Sequence, residues 1–210
     1  MLHFHLAGIN NQNFIMRDEE TGSWWQQVTG EAILGPMKGT RLKPVSQDEV
    51  SFAIWRAEQP RGRVLRPSGH LDDADWESQI AKLPTVTPLV DRRLAARDVV
   101  IGIVIDGVAK AYSREKIVAQ SPVIDTLGRT PIVIVAAGDK RSIRAFSRVV
   151  DGRTLELFAA SDLVDKETGS HWDFSGLATS GPLAGKRLQK IDFLTDYWFD
   201  WKTYHPTTLV

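Results

Sequence analysis

One motif occurs twice in this chain, about 147 residues apart, and this repetition constrains the fold more than any other feature. Residues 18–42 read DEETGSWWQQVTGEAILGPMKGTRL, and residues 165–188 read DKETGSHWDFSGLATSGPLAGKRL. With one gap opposite Val28, thirteen positions are identical, whereas ordinary residue frequencies would give about one or two. Beyond the motif, Trp55 matches Trp201 and Pro60 matches Pro206. We therefore interpret the chain as an internal duplication.

The two copies differ in what precedes the motif. Residues 99–160 stand before the second motif and are rich in strand-forming residues, whereas residues 1–17 stand before the first. Between the copies lies a stretch rich in Pro, Asp and Ser, which is typical of a connector. We therefore predict a partial first repeat over residues 1–66, a linker over 67–90 and a complete second repeat over 91–210.

The sequence predicts a mainly β fold with short helices, of the α+β kind. Asp106–Gly107 and Asp151–Gly152 each lie between runs of apolar residues, which is typical of β-hairpins over 101–113 and 142–161. The apolar run 131–137 is a further strand. Short helices are expected at 113–120, with Ser113 as the N-cap, at 73–83, and near the end of each copy before a proline.

Composition excludes several classes of function. The 26 basic and 26 acidic residues cancel, so a broad nucleic-acid-binding surface is not expected. The chain has no cysteine, which excludes disulfides, thiolate zinc sites and cysteine nucleophiles. No glycine-rich nucleotide loop or other cofactor motif is present, and we expect no cofactor. No apolar run is long enough for a transmembrane segment, and the N-terminus does not resemble a signal peptide, so cytoplasmic is the default expectation.

The repeated loop D-x-E-T-G-S-x-W has two interpretations. As a hairpin loop, it would use Asp18 and Asp165 to accept hydrogen bonds from loop amides, with Gly22 and Gly169 at positive φ. Alternatively, its acids would converge on a ligand or cation. Arg41 and Arg187 follow at matching positions, where they would pair with the motif acids or bind an anionic ligand.

Histidines and aromatic residues supply the other candidate sites. His3 and His5 lie on the same side of a strand by the period of two, and with a third ligand they would form a metal site. His171 replaces Trp24 of the first motif and is expected at the edge of a loop. The ending YWFDWKTYHP is expected to pack against a sheet, with a carbohydrate-binding or aromatic-ligand platform as the alternative.

These stretches resemble a family catalogued as domain of unknown function 3179. The resemblance rests on NFIMRDEETGSWWQQVTGEAILGPMKGTRL, on VVIGIVIDGVAKAY and FSRVVDGRTLEL, and on the second motif with its WFDWKTYHP ending. It implies a prokaryotic origin and often an extracytoplasmic location, but no activity. Family members commonly carry a Cys-Pro-x-Cys element where this chain has Ala136–Ala137–Gly138, which places a thiol-based role in doubt.

Three hypotheses about function follow. The first is a non-enzymatic binding or assembly module, such as a subunit of a larger complex. Its partner would be another protein or a second copy of the chain, in contact with the N-terminal edge. The second is an extracytoplasmic metal-handling protein that uses His3 and His5. The third is a hydrolase that uses the motif acids. For a ligand site, the candidate residues are Asp18, Arg41, Asp165, His171 and Arg187.

Overall fold

The fold of the chain is mainly β. A computed structural model describes residues 1–10, 13–43, 45–65, 91–160 and 162–210, and this part holds seventeen strands and three helices. The predicted linker 67–90, with its expected helix at 73–83, lies outside the described residues. In the described part, no helix has the length and apolar character needed to cross a membrane.

The elements follow one another along the chain as short strands with three seven-residue helices. They are β1 (Phe4–Asn10), β2 (Asn13–Asp18), β3 (Trp24–Gln26), β4 (Ala32–Leu34), α1 (Phe52–Glu58), β5 (Val99–Ile105), β6 (Val108–Ser113), α2 (Arg114–Gln120), β7 (Val123–Leu127), β8 (Thr130–Ala136), β9 (Ile143–Ser147), β10 (Val149–Val150), β11 (Arg153–Thr154), β12 (Leu157–Ala159), β13 (Leu163–Asp165), β14 (His171–Trp172), β15 (Ala178–Ser180), β16 (Lys190–Ile191), β17 (Leu194–Tyr197) and α3 (Trp198–Tyr204).

Two four-stranded sheets have the same topology. The first has the order β1-β2-β3-β4 and the second β12-β13-β14-β15, both antiparallel. Their registers correspond, since Met16 pairs with Trp25 as Leu163 pairs with Trp172. Each sheet also has an irregularity in the ladder just before its motif tryptophan. We call them the first sheet and the second sheet.

The rest of the fold is a core that packs against the second sheet. The sheet β16-β9-β8-β7 lies between the three-stranded sheet β17-β5-β6 with α2 on one face and the second sheet on the other. Alternate residues of β8 point to opposite faces, so Ile132 and Ile134 pack with Ile101 and Ile117, whereas Val133 and Val135 pack with the second sheet. The sheet is therefore buried on both sides.

Short-range signals located most of the elements. The Asp106–Gly107 turn joins β5 to β6 with both residues at positive φ, as the favoured two-residue hairpin requires. Helix α2 begins after Ser113, whose hydroxyl accepts from the Lys116 amide. The predicted long hairpin around Asp151–Gly152 was wrong in extent. The hairpin β10–β11 has two residues on each side, because β9 pairs with β8 and β16 instead.

Helix α3 is anchored by its tryptophans. Trp198 and Trp201 are buried against Val100 and Ala111 of the sheet β17-β5-β6. A Cβ added to Gly102 would lie 2.2 Å from the Trp201 ring, so this glycine makes room for the indole. The terminal aromatic cluster therefore packs in the core, as expected.

Candidate functional site

The repeated loops are turns held by their own aspartates. Gly22 and Gly169 have φ of 71° and 68°, as predicted. The Thr21 amide donates to Asp18 Oδ1 at 2.5 Å, and the Thr168 amide donates to Asp165 at 2.7 Å. Both aspartates are fully buried. The expected capping of loop amides is therefore confirmed in both copies.

The motif tryptophans complete the same bonding pattern. Trp25 Nε1 donates to Asp18 at 2.7 Å, and Trp172 Nε1 donates to Asp165 at 2.9 Å. Burial alone would raise the pKa of Asp18, but the hydrogen bonds from Trp25, Thr21 and Ser23 lower it to about 2. The oxygens of both carboxylates accept bonds from within their own loops, which supports the turn interpretation over a ligand site.

Arg41 and Arg187 do not pair with the acids of the repeated loops. Arg41 binds Glu31 instead, with Nη2 at 2.8 Å from the carboxylate. At the position that corresponds to Glu31, the second copy has Leu177, which forms a backbone bridge with Arg187. Arg187 is exposed, and its side chain has no ion pair among the described residues. The two arginines therefore have different surroundings, and the structure does not join either to Asp18 or Asp165.

The histidines are also separated. His3 Nδ1 lies 2.5 Å from Glu20, which raises the pKa of His3, while His5 is exposed on β1 opposite Arg17. In the described ranges, no group of three or more His, Asp or Glu side chains is arranged to hold a metal ion. His171 is the first residue of β14, which lies between β13 and β15, and its Nδ1 is 3.4 Å from Asp162.

The first sheet has an uncovered apolar face. In the ladder, Leu6 pairs with Met16 and Ile9 with Phe14, so these side chains share the face of Phe4. Phe4 is 39% exposed, whereas Leu157 at the corresponding place in the second sheet is 4% exposed. Leu42 and its counterpart Leu188 show the same contrast, at 41% and 4%. We call the surface made by Phe4, Leu6, Ile9, Phe14 and Leu42 the open face.

The second sheet shows how the corresponding face is covered. Leu157, Trp172 and Leu188 pack in one cluster with Val133 and Phe146 of the sheet β16-β9-β8-β7. Among the described residues, the strands of the first sheet pair only with one another, and none of its side chains belongs to the clusters around the sheet β16-β9-β8-β7. The open face thus lacks the cover that the second sheet has.

Strand β1 is an unusually bare edge. It lies at the end of the first sheet and pairs on one side with β2. Over seven residues it has neither a proline nor a Lys, Arg, Asp or Glu side chain. The matching edge strand of the second sheet, β12, is three residues long. Soluble proteins generally shorten or charge such edges because they add further strands.

A cavity of about 620 Å³ lies between α1 and the second sheet. Its apolar lining includes Ile54 and Ala57 of α1, together with Trp172 and Phe174. The segment Ala136–Ala137–Gly138, where the resemblance places cysteines, also lines it. We call it the α1 cavity.

A buried arginine of β9 holds helix α1 in place beside this cavity. Arg144 is 3% exposed and binds Glu58 at 2.6 Å and Asp48 at 2.8 Å. The Glu58 carboxylate raises the pKa of Arg144 against the effect of burial. Sequence reasoning missed this connection, although Arg144 in an otherwise apolar strand was a signal, because a buried charge needs a partner.

A second cavity, of about 710 Å³, adjoins a pair of carboxyl groups. Asp196 of β17 lines it, and Asp200 lies four residues later in the first turn of α3. Burial and the neighbouring charge raise the pKa of Asp196 to about 7, and burial raises the pKa of Asp200. The Asn13 amide of β2 donates to Asp200 and so joins the first sheet to α3.

Comparison with known proteins identifies a family but no activity. The family described as "Protein of unknown function (DUF3179)" matches residues 3–208. No curated protein and no solved structure matches the chain.

Proposed function

Since the chain belongs to the family described as protein of unknown function (DUF3179), we propose on its own geometry that it is a non-enzymatic binding and assembly module. Its partner is a second copy of the chain, which pairs antiparallel through the free edge of β1, so that apolar side chains of the two open faces pack across the new strand pair. The observation that carries the proposal is the contrast between Phe4, at 39% exposed, and Leu157, at 4% exposed, in two sheets of the same register.

Apolar surface of this extent favours association. The open face presents four large apolar side chains on β1 and β2 together with Leu42, and exposed apolar patches mark interaction sites in soluble proteins. Burying such side chains stabilises the associated state by roughly 25 cal/mol for each Å² of apolar surface that is removed from water. A covered state is therefore favoured wherever a complementary surface is present.

Strand β1 favours a second copy as that surface. Two identical strands that pair antiparallel are related by a two-fold axis, which is the commonest symmetry of protein dimers. With its neutral edge, β1 brings no like charges together in such a pairing. The zero net charge of the chain also leaves no overall repulsion between copies.

The proposal includes the duplication. Matching registers, matching ladder irregularities and matching aspartate–tryptophan bonds support a common origin for the first and second sheets. In this view residues 1–66 are a partial repeat and residues 91–210 a complete one. Among the described residues, the first sheet has no counterpart of the sheet β16-β9-β8-β7 against its open face, which leaves β1 and that face accessible to a second copy of the chain.

Sedimentation velocity over a concentration series tests the proposal. Wild type is expected to move from monomer to dimer, and Leu6→Asp to remain monomeric, because the two copies would bring like charges together beside the paired β1 strands. Val104→Asp is the matched control, since Val104 is 49% exposed on β5 and Leu6 is 55% exposed on β1. A wild type that stays monomeric, or a Leu6→Asp variant that dimerises as wild type does, would contradict it.

A further inference from the structure

We infer that the α1 cavity is a binding site for a small organic cation with an apolar or aromatic body. The inference is independent of self-association, because the cavity adjoins the second sheet and the open face belongs to the first. With a volume of about 620 Å³, the cavity is within the size range of small-molecule sites.

The walls of the cavity are apolar and small. Val135, Ala136 and Ala137 line one side and Ile54 with Ala57 another, so a ligand would exchange water for aliphatic surface. Gly138 has no heavy atom within 4 Å of where a Cβ would stand, which shows that this wall leaves room. An apolar body of ligand size therefore fits the walls.

The charges around the cavity are negative. Glu58, Asp162 and Asp173 line it, whereas no lysine or arginine is among its described lining residues. Glu58 is held by Arg144, and Asp173 accepts bonds from the Ser175 amide and hydroxyl and from the Leu177 amide. These two carboxylates are engaged within the protein.

Asp162 is the carboxylate available to a ligand. Its side chain is 61% exposed, and its partner is the His171 ring at 3.4 Å, which is a long contact. A positively charged group at the mouth of the cavity would pair with Asp162 while its apolar body enters. The site therefore selects charge at the mouth and apolar surface inside.

The aromatic lining provides apolar surface for the body of the ligand. The Phe174 ring already has the Arg144 guanidinium 4.7 Å from its centroid, so its cation–π contact is made within the protein. Trp172 turns its Nε1 to Asp165 and is a cavity-lining residue. Neither aromatic residue provides an anion-binding group, which agrees with the negative charge at the mouth.

Titration of the full chain with three probes of the same shape tests the inference. Phenylethylammonium, neutral phenylethanol and anionic phenylacetate are compared by amide chemical-shift changes. The ammonium probe should bind about fivefold tighter than the alcohol, as a partly exposed ion pair with Asp162 would give. Its shift changes should centre on residues 135–138 and 172–175.

Two variants locate the site. Asp162→Asn should remove the preference for the ammonium probe over the alcohol, and Ala137→Leu should weaken both by filling the cavity. Asp151→Asn is the matched control. Asp151 is 59% exposed, and it pairs with one basic side chain, Lys186, as Asp162 pairs with His171. Each variant is first checked for a wild-type amide spectrum elsewhere.

Three results would overturn the inference. They are the absence of ammonium binding at millimolar concentration, equal binding of all three probes, and an ammonium preference that survives Asp162→Asn. None of these bears on the sedimentation experiment, so the two proposals fail separately.

Discussion

At the residue scale, each repeated loop depends on one glycine and one aspartate. The glycine supplies a left-handed backbone, and the aspartate accepts from a threonine amide three residues later and from the motif indole. Gly169 is the better position at which to test the backbone term, because a Cβ there would meet no heavy atom within 4 Å. Steric contact and backbone strain are thus separated.

We predict that Gly169→Ala lowers the free energy of unfolding by roughly 1 kcal/mol, since an L-residue is strained at this φ. Gly138→Ala is the control. It has equal room for a Cβ and no positive φ, so it should be neutral or slightly stabilising. Urea unfolding measures both, and equal effects of the two substitutions would refute the backbone account.

Local patterns predicted these loops well because the bonds of Asp18 and Asp165 are made within seven residues. The same reasoning did not identify the partner of Arg41, because Arg41 meets Glu31 through a β-bridge that forms only when the chain folds back after β4. It failed also for Asp48 and Glu58, whose partner Arg144 is about ninety residues away. Contacts set by tertiary packing leave no periodic signal in one sequence.

At the element scale, the two matching helices α1 and α3 have different environments. Trp55 and Trp201 occupy the fourth position of their helices, and each carbonyl accepts from the amide that follows the helix. Trp201 is buried against β5 and Gly102, as predicted, whereas Trp55 is half-buried and stacks on exposed Phe52. From their matching places in the sequence, we expected the two tryptophans to be equally buried. This was wrong for Trp55, because no strand pair like β5 and β6 buries α1 in the described part of the chain.

The two tryptophans should differ in mutational cost. Trp201→Ala is expected to lower the free energy of unfolding by roughly 3–5 kcal/mol, as for aromatic residues in packed cores. Trp55→Ala should cost clearly less, because part of its ring already meets solvent. Chemical denaturation of both variants checks this, and similar costs would show that Trp55 is covered in solution.

The carboxyl pair of β17 and α3 predicts a dependence of stability on pH. The pKa of Asp196 is about 7 in the folded chain and about 4 in an unfolded one. The folded state therefore binds more protons between these values, so the free energy of unfolding falls as pH rises from about 4 to about 7.

Asp196→Asn should flatten this slope, because the amide that replaces the Asp196 carboxyl group cannot ionise. Urea unfolding at a series of pH values measures it, with Asp151→Asn as the control at an exposed turn. An unchanged slope in Asp196→Asn would show that the pair does not hold a proton in the folded state.

Strand prediction succeeded where a turn fixed the partner and failed where it did not. Asp106–Gly107 forced β5 onto β6, but the alternating residues 142–150 did not indicate which strand β9 would join. All five residues of β9 are buried, since it lies between β8 and β16 in a sheet covered on both faces. Period-two alternation cannot select among several available edges.

At the scale of the whole molecule, the two halves are unequally covered. The second sheet packs on the sheet β16-β9-β8-β7, and the first sheet keeps its corresponding face open. The sequence indicated strands over residues 99–160, before the second motif. It did not indicate which face would be left open, because that depends on the register of β1 with β2.

Amide hydrogen exchange of β1 at several protein concentrations tests self-association most directly. If β1 pairs with β1 of a second copy, amides of residues 4–10 on the free edge should be protected at high concentration and exchange rapidly on dilution. Leu6→Asp should abolish the concentration dependence, while amides of β8 stay protected throughout. Exchange of residues 4–10 that is the same at every concentration would contradict the account.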